Sequence, residues 1–303
     1  MRQFWPLILF LIILLVAVAG LKQAPLSPKE SQIAPQRIIT LAPNITEIAF
    51  AIGLNKKVVA VTKYCDYPAQ VKSLPQVGGF IDPNLEAIVA LQPDLVILVA
   101  TQHQTIKQLK QLKIPTLAVH NATLSDITDS ISAIGKATQH QKEAQQLLTQ
   151  INQQISSVSQ KVENLARPKV MVTMGHSSGG EHVKTIYIAG QHDFYNDLIT
   201  LAGGENSYQA THLKVPSLSV EGILQLNPDV IIDIFPESSD HNANIEQVKQ
   251  QWQNLAYVNA VKNDRVHIIE ENYATIPGPR IFQLLDKMTR IIHPEIDWHK
   301  QAL

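Results

Sequence analysis

The chain has 303 residues, of which 45% are hydrophobic, and its formal net charge is −1. This length is enough for two packed cores, and the balanced charge argues against a polyanionic partner such as a nucleic acid. The single cysteine, Cys65, cannot form an internal disulfide. We therefore expect a globular protein that binds no nucleic acid and is held together by hydrophobic packing.

The N-terminus has the pattern of an export signal. Arg2 precedes an apolar run over residues 7–19, which ends in the small-x-small pattern Ala17-Val18-Ala19. We predict that residues 1–19 are a signal peptide or an N-terminal anchor, because residues 4–21 are also about long enough to span a membrane. Residues 20–36, which contain three prolines, are predicted to form a flexible lead-in.

A segment that occurs twice organises the rest of the chain. Residues 85–97 and 220–232 each combine apolar residues at helical spacing, a Pro-Asp pair and an aliphatic run typical of a buried strand. The two copies lie 135 residues apart, which is about one domain length. The repeat therefore predicts an α/β protein with two related lobes, each with a mainly parallel sheet flanked by helices.

The predicted elements fall into three segments. The N-terminal α/β lobe, residues 37–124, has predicted strands at 37–41, 58–61, 95–98 and 116–119 and a helix at 46–53. Residues 125–166 are polar with apolar residues every three or four positions, which predicts one long connecting helix. The C-terminal α/β lobe, residues 167–303, begins with a strand at 169–174 and ends with a strand at 266–269 and a helix after Arg280.

Six segments in this order resemble one known family. They are residues 39–47 (ITLAPNITE), 64–68 (YCDYP), 84–86 (NLE), 186–190 (IYIAG), 201–206 (LAGGEN) and 276–280 (IPGPR). The chain resembles, from residue 37 to about residue 292, the periplasmic binding proteins that serve vitamin B12 and ferric-siderophore ABC importers. The resemblance implies two lobes joined by one long backbone helix, little hinge closure, and delivery of a ligand to a permease in the inner membrane. We expect a periplasmic monomer without catalytic activity or cofactor.

The resemblance also implies two docking residues. The family pairs one acidic residue on each lobe with arginines of the permease, and these positions match Glu86 and Glu221. Each glutamate follows a candidate N-cap, Asn84 or Ser219, by two residues. A carboxylate there also stabilises its own helix through the helix dipole, so the position alone does not require a partner. Two equivalent acidic residues do suit a permease built from two equivalent subunits.

The ligand implied by the resemblance is a metal chelate, either a corrinoid such as cobalamin or a ferric siderophore. Tyr64 and Phe80 match aromatic cleft positions of the B12-binding member, although most of its tryptophan lining is missing here. A ferric siderophore would use arginines for its negative charge and aromatic faces for its organic shell, which Arg280, Tyr273 and Tyr64 could provide. His176, at the start of the second lobe, is a further candidate for the cleft.

Three alternatives remain open at this point. The segment 175–179 fits the G-x-S-x-G pattern of α/β-hydrolases, with Ser177 as nucleophile and Asp233 and His267 in the right order. The residues after it are polar and then β-branched, however, and do not predict the helix that a nucleophile elbow requires.

The other two alternatives are receptors of the same shape. The many histidines, 11 in all and every one after residue 100, suggest a receptor for a zinc or manganese ion, but none has the spacing of a paired metal ligand. Haem-binding relatives place a tyrosine after Val-Gly in the loop before the first docking helix, whereas Val77-Gly78 is followed here by Gly79.

Overall fold

A computed structural model describes residues 34–176, 185–211, 213–236 and 245–298; of residues 175 and 176 it describes only the backbone. The predicted signal or anchor lies outside this range. The described residues from Pro35 onward belong to one compact unit. None of the described helices is both long and apolar enough to cross a membrane.

The first lobe contains a sheet of four parallel strands. The strands are β1 (Ile38–Thr40), β2 (Val58–Val61), β3 (Leu95–Val99) and β4 (Thr116–Val119). Their spatial order is β2-β1-β3-β4, so the winding of the chain reverses at β1. All four lie where the aliphatic runs predicted them, because strands that are covered on both faces must be apolar throughout.

Three helices of the first lobe connect these strands. They are α1 (Pro43–Ala51), α2 (Leu85–Ala90) and α3 (His103–Gln111), and a 3₁₀ turn spans Ala69–Ser73. The first helix begins three residues earlier than the predicted start at Thr46. Pro43 occupies the first turn of the helix, where its missing N–H would have no partner in any case, so it starts the helix instead of breaking the chain.

The segment predicted as one helix over residues 125–166 forms two helices, α4 (Leu124–Thr138) and α5 (Gln141–Val162). Gln139 adopts a left-handed φ of 61°, and the His140 amide donates to the Gly135 carbonyl at 2.7 Å. The chain then folds back, and Gly135 packs so closely on α5 that a Cβ there would lie 2.5 Å from Cβ of Ala144. Neither Gln139 nor His140, where the helix breaks, is a glycine or a proline, which explains why the pattern did not reveal the break.

The long helix α5 joins the two lobes. Its 22 residues span about 33 Å at 1.5 Å per residue. Its first half packs on α4 of the first lobe, and near its end the Ser159 hydroxyl donates to the Leu201 carbonyl of the second lobe at 3.2 Å. The prediction of one long connecting helix is therefore confirmed, but this helix begins at residue 141 and not at residue 125.

The second lobe contains a mixed sheet. Its strands are β5 (Lys169–His176), β6 (Thr185–Ile188), β7 (Glu205–Asn206), β8 (Ser217–Ser219), β9 (Val230–Ile234) and β10 (Val266–Ile269). The order is β10-β9-β5-β6-β8, with β7 pairing with the start of β5. Strands β10, β9 and β5 are parallel, as predicted, whereas β6 runs antiparallel to both of its neighbours.

The described residues of the second lobe contain five helices: α6 (Phe194–Leu201), α7 (Val220–Leu226), α8 (Ile245–Gln253), α9 (Asn259–Lys262) and α10 (Ile281–Ile292). A 3₁₀ turn at Asn272–Thr275 follows β10. The helix predicted after Arg280 is thus confirmed as α10.

The repeated segments occupy equivalent places in the two lobes. In each copy the short helix, α2 or α7, leads into a central parallel strand through the Pro-Asp pair. The Asp94 carboxylate accepts from the Arg37 amide at 2.9 Å, and the Asp229 carboxylate accepts from the Lys169 amide at 2.9 Å. Each aspartate therefore links the start of the strand that follows it, β3 or β9, to the start of the neighbouring strand, β1 or β5. This shared role explains why the Pro-Asp pair occurs in both lobes.

Both sheets are covered on two faces. The outer face of each sheet packs on its own cluster, which includes Ile88 in the first lobe and Ile223 in the second. The inner faces share one cluster of buried residues that runs through α4, α5 and α10 into both lobes. Because a close-packed interior resists deformation, this shared core opposes bending between the lobes.

Candidate functional site

The carboxyl ends of the parallel strands in the two lobes lie next to each other. The loop after β2 contains Asp66, and its carboxylate accepts a hydrogen bond of 2.9 Å from the side-chain amide of Asn272, which follows β10. In open α/β sheets, ligands bind beyond the carboxyl ends of the strands, at the point where the winding reverses. This edge, where the lobes meet, is therefore the candidate ligand site.

A buried ion pair joins the lobes at this edge. Arg280 Nε donates to Glu47 Oε2 at 2.9 Å, and Arg280 Nη2 donates to Glu47 Oε1 at 2.5 Å. Both side chains are almost fully buried. Burial raises the pKa of Glu47, and the hydrogen bonds and charge of Arg280 oppose that rise. Arg280 Nη1 also donates to Asn272 Oδ1 at 3.1 Å, so all three nitrogens of the predicted site residue have partners within the protein.

Two tyrosines surround the guanidinium of Arg280. Its Cζ lies 4.0 Å from the ring centroid of Tyr67 and 5.6 Å from that of Tyr273, which is within cation–π distance. Burial is the main cause that raises the pKa of Tyr273. Tyr67 is 44% exposed, so part of its ring remains open to a ligand. The structure thus brings the predicted residues Tyr273 and Arg280 together and adds Tyr67.

Tyr64 and Phe80 have separate surroundings in the first lobe. Tyr64 is exposed in the same loop as Tyr67, and Lys63 Nζ lies 4.8 Å from its ring centroid. Phe80 is half-buried against the shared core, and its carbonyl accepts from Gln102 Nε2 at 2.6 Å. Tyr64 therefore offers an open aromatic face, while Phe80 offers only part of its ring.

Two predicted residues cannot be placed. His176 ends β5 and pairs with Ile186 across the sheet, but its side chain lies outside the described residues. Ser177 lies outside them entirely. The strand β6, beginning at Thr185, follows the undescribed segment.

The remaining two residues of the hydrolase pattern do not meet. Asp233 is fully buried and accepts from Thr173 Oγ1 at 2.6 Å and from Trp252 Nε1 at 2.8 Å, on the outer face of the sheet. His267 pairs with Ile232, whose side chain belongs to the inner cluster. Because neighbouring residues of a strand point to opposite faces, Asp233 and His267 project from opposite sides of the sheet.

The described part of the chain contains no group of three His, Cys, Asp or Glu side chains that could hold a metal ion. Cys65 is buried and lies 3.2 Å from each of the Thr46 and Thr62 hydroxyls. Burial raises the pKa of its thiol, so it remains a protonated packing residue near neutral pH.

The two predicted docking glutamates have matching local structures. Asn84 and Ser219 are the N-caps of α2 and α7, as predicted: the Asn84 side chain accepts from the Ala87 amide at 3.0 Å and the Ser219 hydroxyl accepts from the Gly222 amide at 3.5 Å. Glu86 and Glu221 are both exposed in the first turn. A hydrogen bond from Ser219 lowers the pKa of Glu221.

The chain forms two α/β lobes that are joined by a long helix, and the carboxyl ends of their strands face each other. This is the architecture of a two-lobed binding protein. A family model described as periplasmic binding protein matches residues 38–273. The chain belongs to this family.

Individual relatives match over most of the chain. An uncharacterised ABC transporter substrate-binding lipoprotein of Bacillus subtilis is 29% identical over 266 residues, 86% of this chain and 81% of the relative. The crystal structure of the periplasmic vitamin B12 binding protein of Vibrio cholerae superposes with a TM-score of 0.72 at 26% identity, covering 88% of this chain and 99% of that one. A possible iron-binding periplasmic solute-binding protein of Staphylococcus epidermidis gives a TM-score of 0.72 at 26% identity, covering 86% and 100%.

Sequence reasoning missed Tyr67, Glu47 and Asn272. Tyr67 and Glu47 lie within segments that carried the family resemblance, but no pattern indicated that Glu47 would meet Arg280, which is 233 residues away. Asn272 precedes the predicted Tyr273 by one residue. The only sequence signal for it was its position directly after the last strand of the second lobe.

Proposed function

We propose that this chain captures a metal chelate, either a corrinoid or a ferric siderophore, in the periplasm and delivers it to an ABC permease of the inner membrane. The observation that carries the ligand class is the pair of exposed tyrosines, Tyr64 and Tyr67, beside the meeting strand ends. Flat aromatic faces suit the large, partly apolar shell of such a chelate, and the names of the relatives include vitamin B12 and iron.

Within this proposal the predicted site residues have different roles. Tyr64 and Tyr67 contact the ligand from the first lobe, together with the exposed part of Phe80. Arg280 packs against the rings of Tyr67 and Tyr273, while three of its five N–H groups donate to Glu47 and Asn272 and its side chain is almost fully buried. A ligand that binds mainly by aromatic and apolar contacts is favoured by this arrangement over one that needs a free guanidinium.

Haem is disfavoured by the turn before α2. Gly79 stands where haem-binding relatives have a tyrosine, and a glycine has no side chain that could ligate iron. A haem receptor built on this chain would need an iron ligand from another segment.

The proposal is tested by thermal unfolding of the purified chain with cyanocobalamin, cobinamide, several ferric siderophores, haem and Zn²⁺. Ligand at 100 times its Kd stabilises a protein by about 2.7 kcal/mol. For a chain of this size that corresponds to a rise in Tm of roughly 4–5 °C. We expect a corrinoid or a ferric siderophore to give such a shift. A shift with Zn²⁺ alone, or with haem alone, would refute the proposed ligand class.

A matched pair of variants locates the site. We expect Tyr67→Ala to reduce the shift strongly, because it removes the exposed ring at the lobe junction. Tyr257→Ala is the control, since Tyr257 is also exposed but lies between α8 and α9. Equal shifts in both variants would contradict the proposed site.

The docking role of Glu86 and Glu221 is part of the same proposal. The glutamates are exposed at matching positions of the two lobes and would pair with cations on two equivalent permease subunits. We expect Glu86→Ala with Glu221→Ala to abolish uptake of the ligand by cells while binding by the purified protein is unchanged. Normal uptake by the double variant would show that docking does not depend on these carboxylates.

A further inference from the structure

The two docking helices expose the same pattern of side chains. Over the eight residues from Asn84 to Leu91 and from Ser219 to Leu226, each position is exposed, half-buried or buried in the same order in both lobes. The only fully buried member of each series is an isoleucine, Ile88 or Ile223, which anchors the helix to the outer cluster of its lobe. The helices therefore present equivalent outer faces.

Each outer face carries an aliphatic side chain beside the glutamate. Val89 is 45% exposed and Leu224 is 41% exposed, and each lies three residues after its glutamate. Residues three apart on a helix are neighbours on one face. Each helix thus places one carboxylate and one aliphatic group side by side in solvent.

A single exposed aliphatic residue on a protein surface is ordinary and indicates nothing by itself. The repetition is informative, because Val89 and Leu224 occupy equivalent positions in the two lobes. Glu86 and Glu221 are also the sole charged residues of α2 and α7. One acidic and one aliphatic side chain therefore lie side by side at equivalent positions in both lobes.

We infer that the permease-docking surface of each lobe is this pair, Glu86 with Val89 and Glu221 with Leu224. This inference rests on the proposed docking function and specifies the surface that the partner must present. Each of the two equivalent permease subunits would offer a cation with an apolar side chain next to it. The surface requires both parts, because an ion pair between exposed side chains contributes little in water.

The aliphatic group strengthens an ion pair that would be weak in water by itself. When it is covered by an apolar group of the permease, water is excluded from one side of the ion pair, and the pair becomes stronger in the drier surroundings. The carboxylate then steers the approach and selects the cation, while the aliphatic contact slows dissociation. A docking surface of this kind is specific but still small enough to release the binding protein after delivery.

The first test is photo-crosslinking of the full chain in living cells. A photoreactive residue is placed singly at Glu86, Val89, Glu221 or Leu224, and crosslinked partners are identified by mass spectrometry. We expect all four positions to crosslink to a membrane subunit of an ABC permease. Leu112 is the matched control: it is 48% exposed but follows α3, outside both docking helices, so it should give no such product.

The second test measures affinity for the permease found in this way, reconstituted in nanodiscs. We expect Val89→Thr and Leu224→Gln each to weaken binding by roughly tenfold, which corresponds to about 1.4 kcal/mol. Leu112→Gln should leave affinity unchanged. Thermal unfolding verifies that the variants are folded, since all three positions are exposed.

The outcomes separate the inference from the function on which it rests. If positions 86 and 221 crosslink to the permease while Val89→Thr and Leu224→Gln bind with unchanged affinity, docking is correct and the aliphatic contact is refuted. If none of the four positions crosslinks to a permease subunit, both are refuted. A tenfold loss in both aliphatic variants, with an unchanged control, supports the paired surface.

Discussion

Glu47 of the first lobe holds Arg280 of the second by two hydrogen bonds, of 2.9 and 2.5 Å, at the edge where the parallel strands of both lobes end. The pair lies between the two halves of the candidate ligand site. Together with the shared inner core, it fixes the lobes in one relative orientation. The site is therefore largely preformed, which lowers the cost of ordering on binding.

Breaking this ion pair should destabilise the fold strongly. Glu47→Gln leaves the guanidinium of Arg280 buried without a countercharge, and the loss of one partner of a buried pair typically costs about 3–5 kcal/mol. The control is Asp286→Asn, which breaks an exposed pair with Arg290 on α10 and should cost about 0.5 kcal/mol or less. Urea unfolding of both variants measures the difference. Similar small losses in both would mean that the buried pair does not hold the lobes together.

A second prediction concerns Gly203, where α5 and the end of α10 approach the chain after α6. Gly203 has a φ of +78°, and an added Cβ would lie 2.7 Å from His293 Nε2 and 2.8 Å from Val162 Cβ. Gly53 has a φ of +85° with no atom within 4 Å of such a Cβ. Gly53→Ala should therefore cost only the backbone strain, about 1–2 kcal/mol.

Gly203→Ala adds steric crowding to the same strain, and overpacking typically costs a further 1–3 kcal/mol or so. Chemical unfolding of the two variants should thus show the larger loss at Gly203. An equal loss at both positions would indicate that His293 and Val162 move aside at little cost, so that the contact between α5 and α10 is looser than the structure indicates.

A third prediction concerns the electrostatics of the second docking helix. The Ser219 hydroxyl hydrogen-bonds to the carboxylate of Glu221 and is the main cause of its lowered pKa. Ser219→Ala should raise the pKa of Glu221 towards 4.5, which NMR titration of the side-chain carboxyl carbon can follow. Asn84→Ala, which removes the equivalent cap in the other lobe, should leave the titration of Glu221 unchanged. No rise in the Ser219 variant would exclude this hydrogen bond.

Much of the fold could be predicted from the sequence. Both copies of the repeat, the caps Asn84 and Ser219, and the strands of the first sheet follow from local patterns: apolar periodicity, cap chemistry and Pro-Asp pairs. The antiparallel strand β6 and the break at Gln139 did not follow from these patterns, because pairing direction and a left-handed residue without glycine depend on tertiary contacts.

The candidate site was predictable only in part. Tyr64 was found through family resemblance, and Tyr273 and Arg280 through the chemistry that a ferric siderophore would need, but local sequence does not show which side chains from two lobes meet. The partner of Arg280 is Glu47, which lies on the first helix of the first lobe. Contacts between residues far apart in the chain decide whether an arginine is available to a ligand, and those contacts are a property of the folded state.

The last prediction is a pH dependence that arises from His267. Burial and, to a smaller extent, the charge of Arg265 lower the pKa of His267 below its usual 6.5, while Asp264 opposes this. Its Nε2 is buried without a hydrogen-bond partner. The unfolded chain therefore takes up the proton first as pH falls, so the contribution of neutral His267 to stability is complete above pH 6.5 and declines below it.

We expect His267→Gln to remove the part of the stability loss at acid pH that arises from His267. The urea concentration at the unfolding midpoint should fall between pH 7.5 and pH 5 in both the unsubstituted protein and the variant. It should fall less in the variant. NMR titration of the imidazole should give a pKa below that of a free histidine. Parallel stability curves for the two proteins would show that His267 does not couple protonation to folding, and that its ring is better solvated than its position beside the inner cluster indicates.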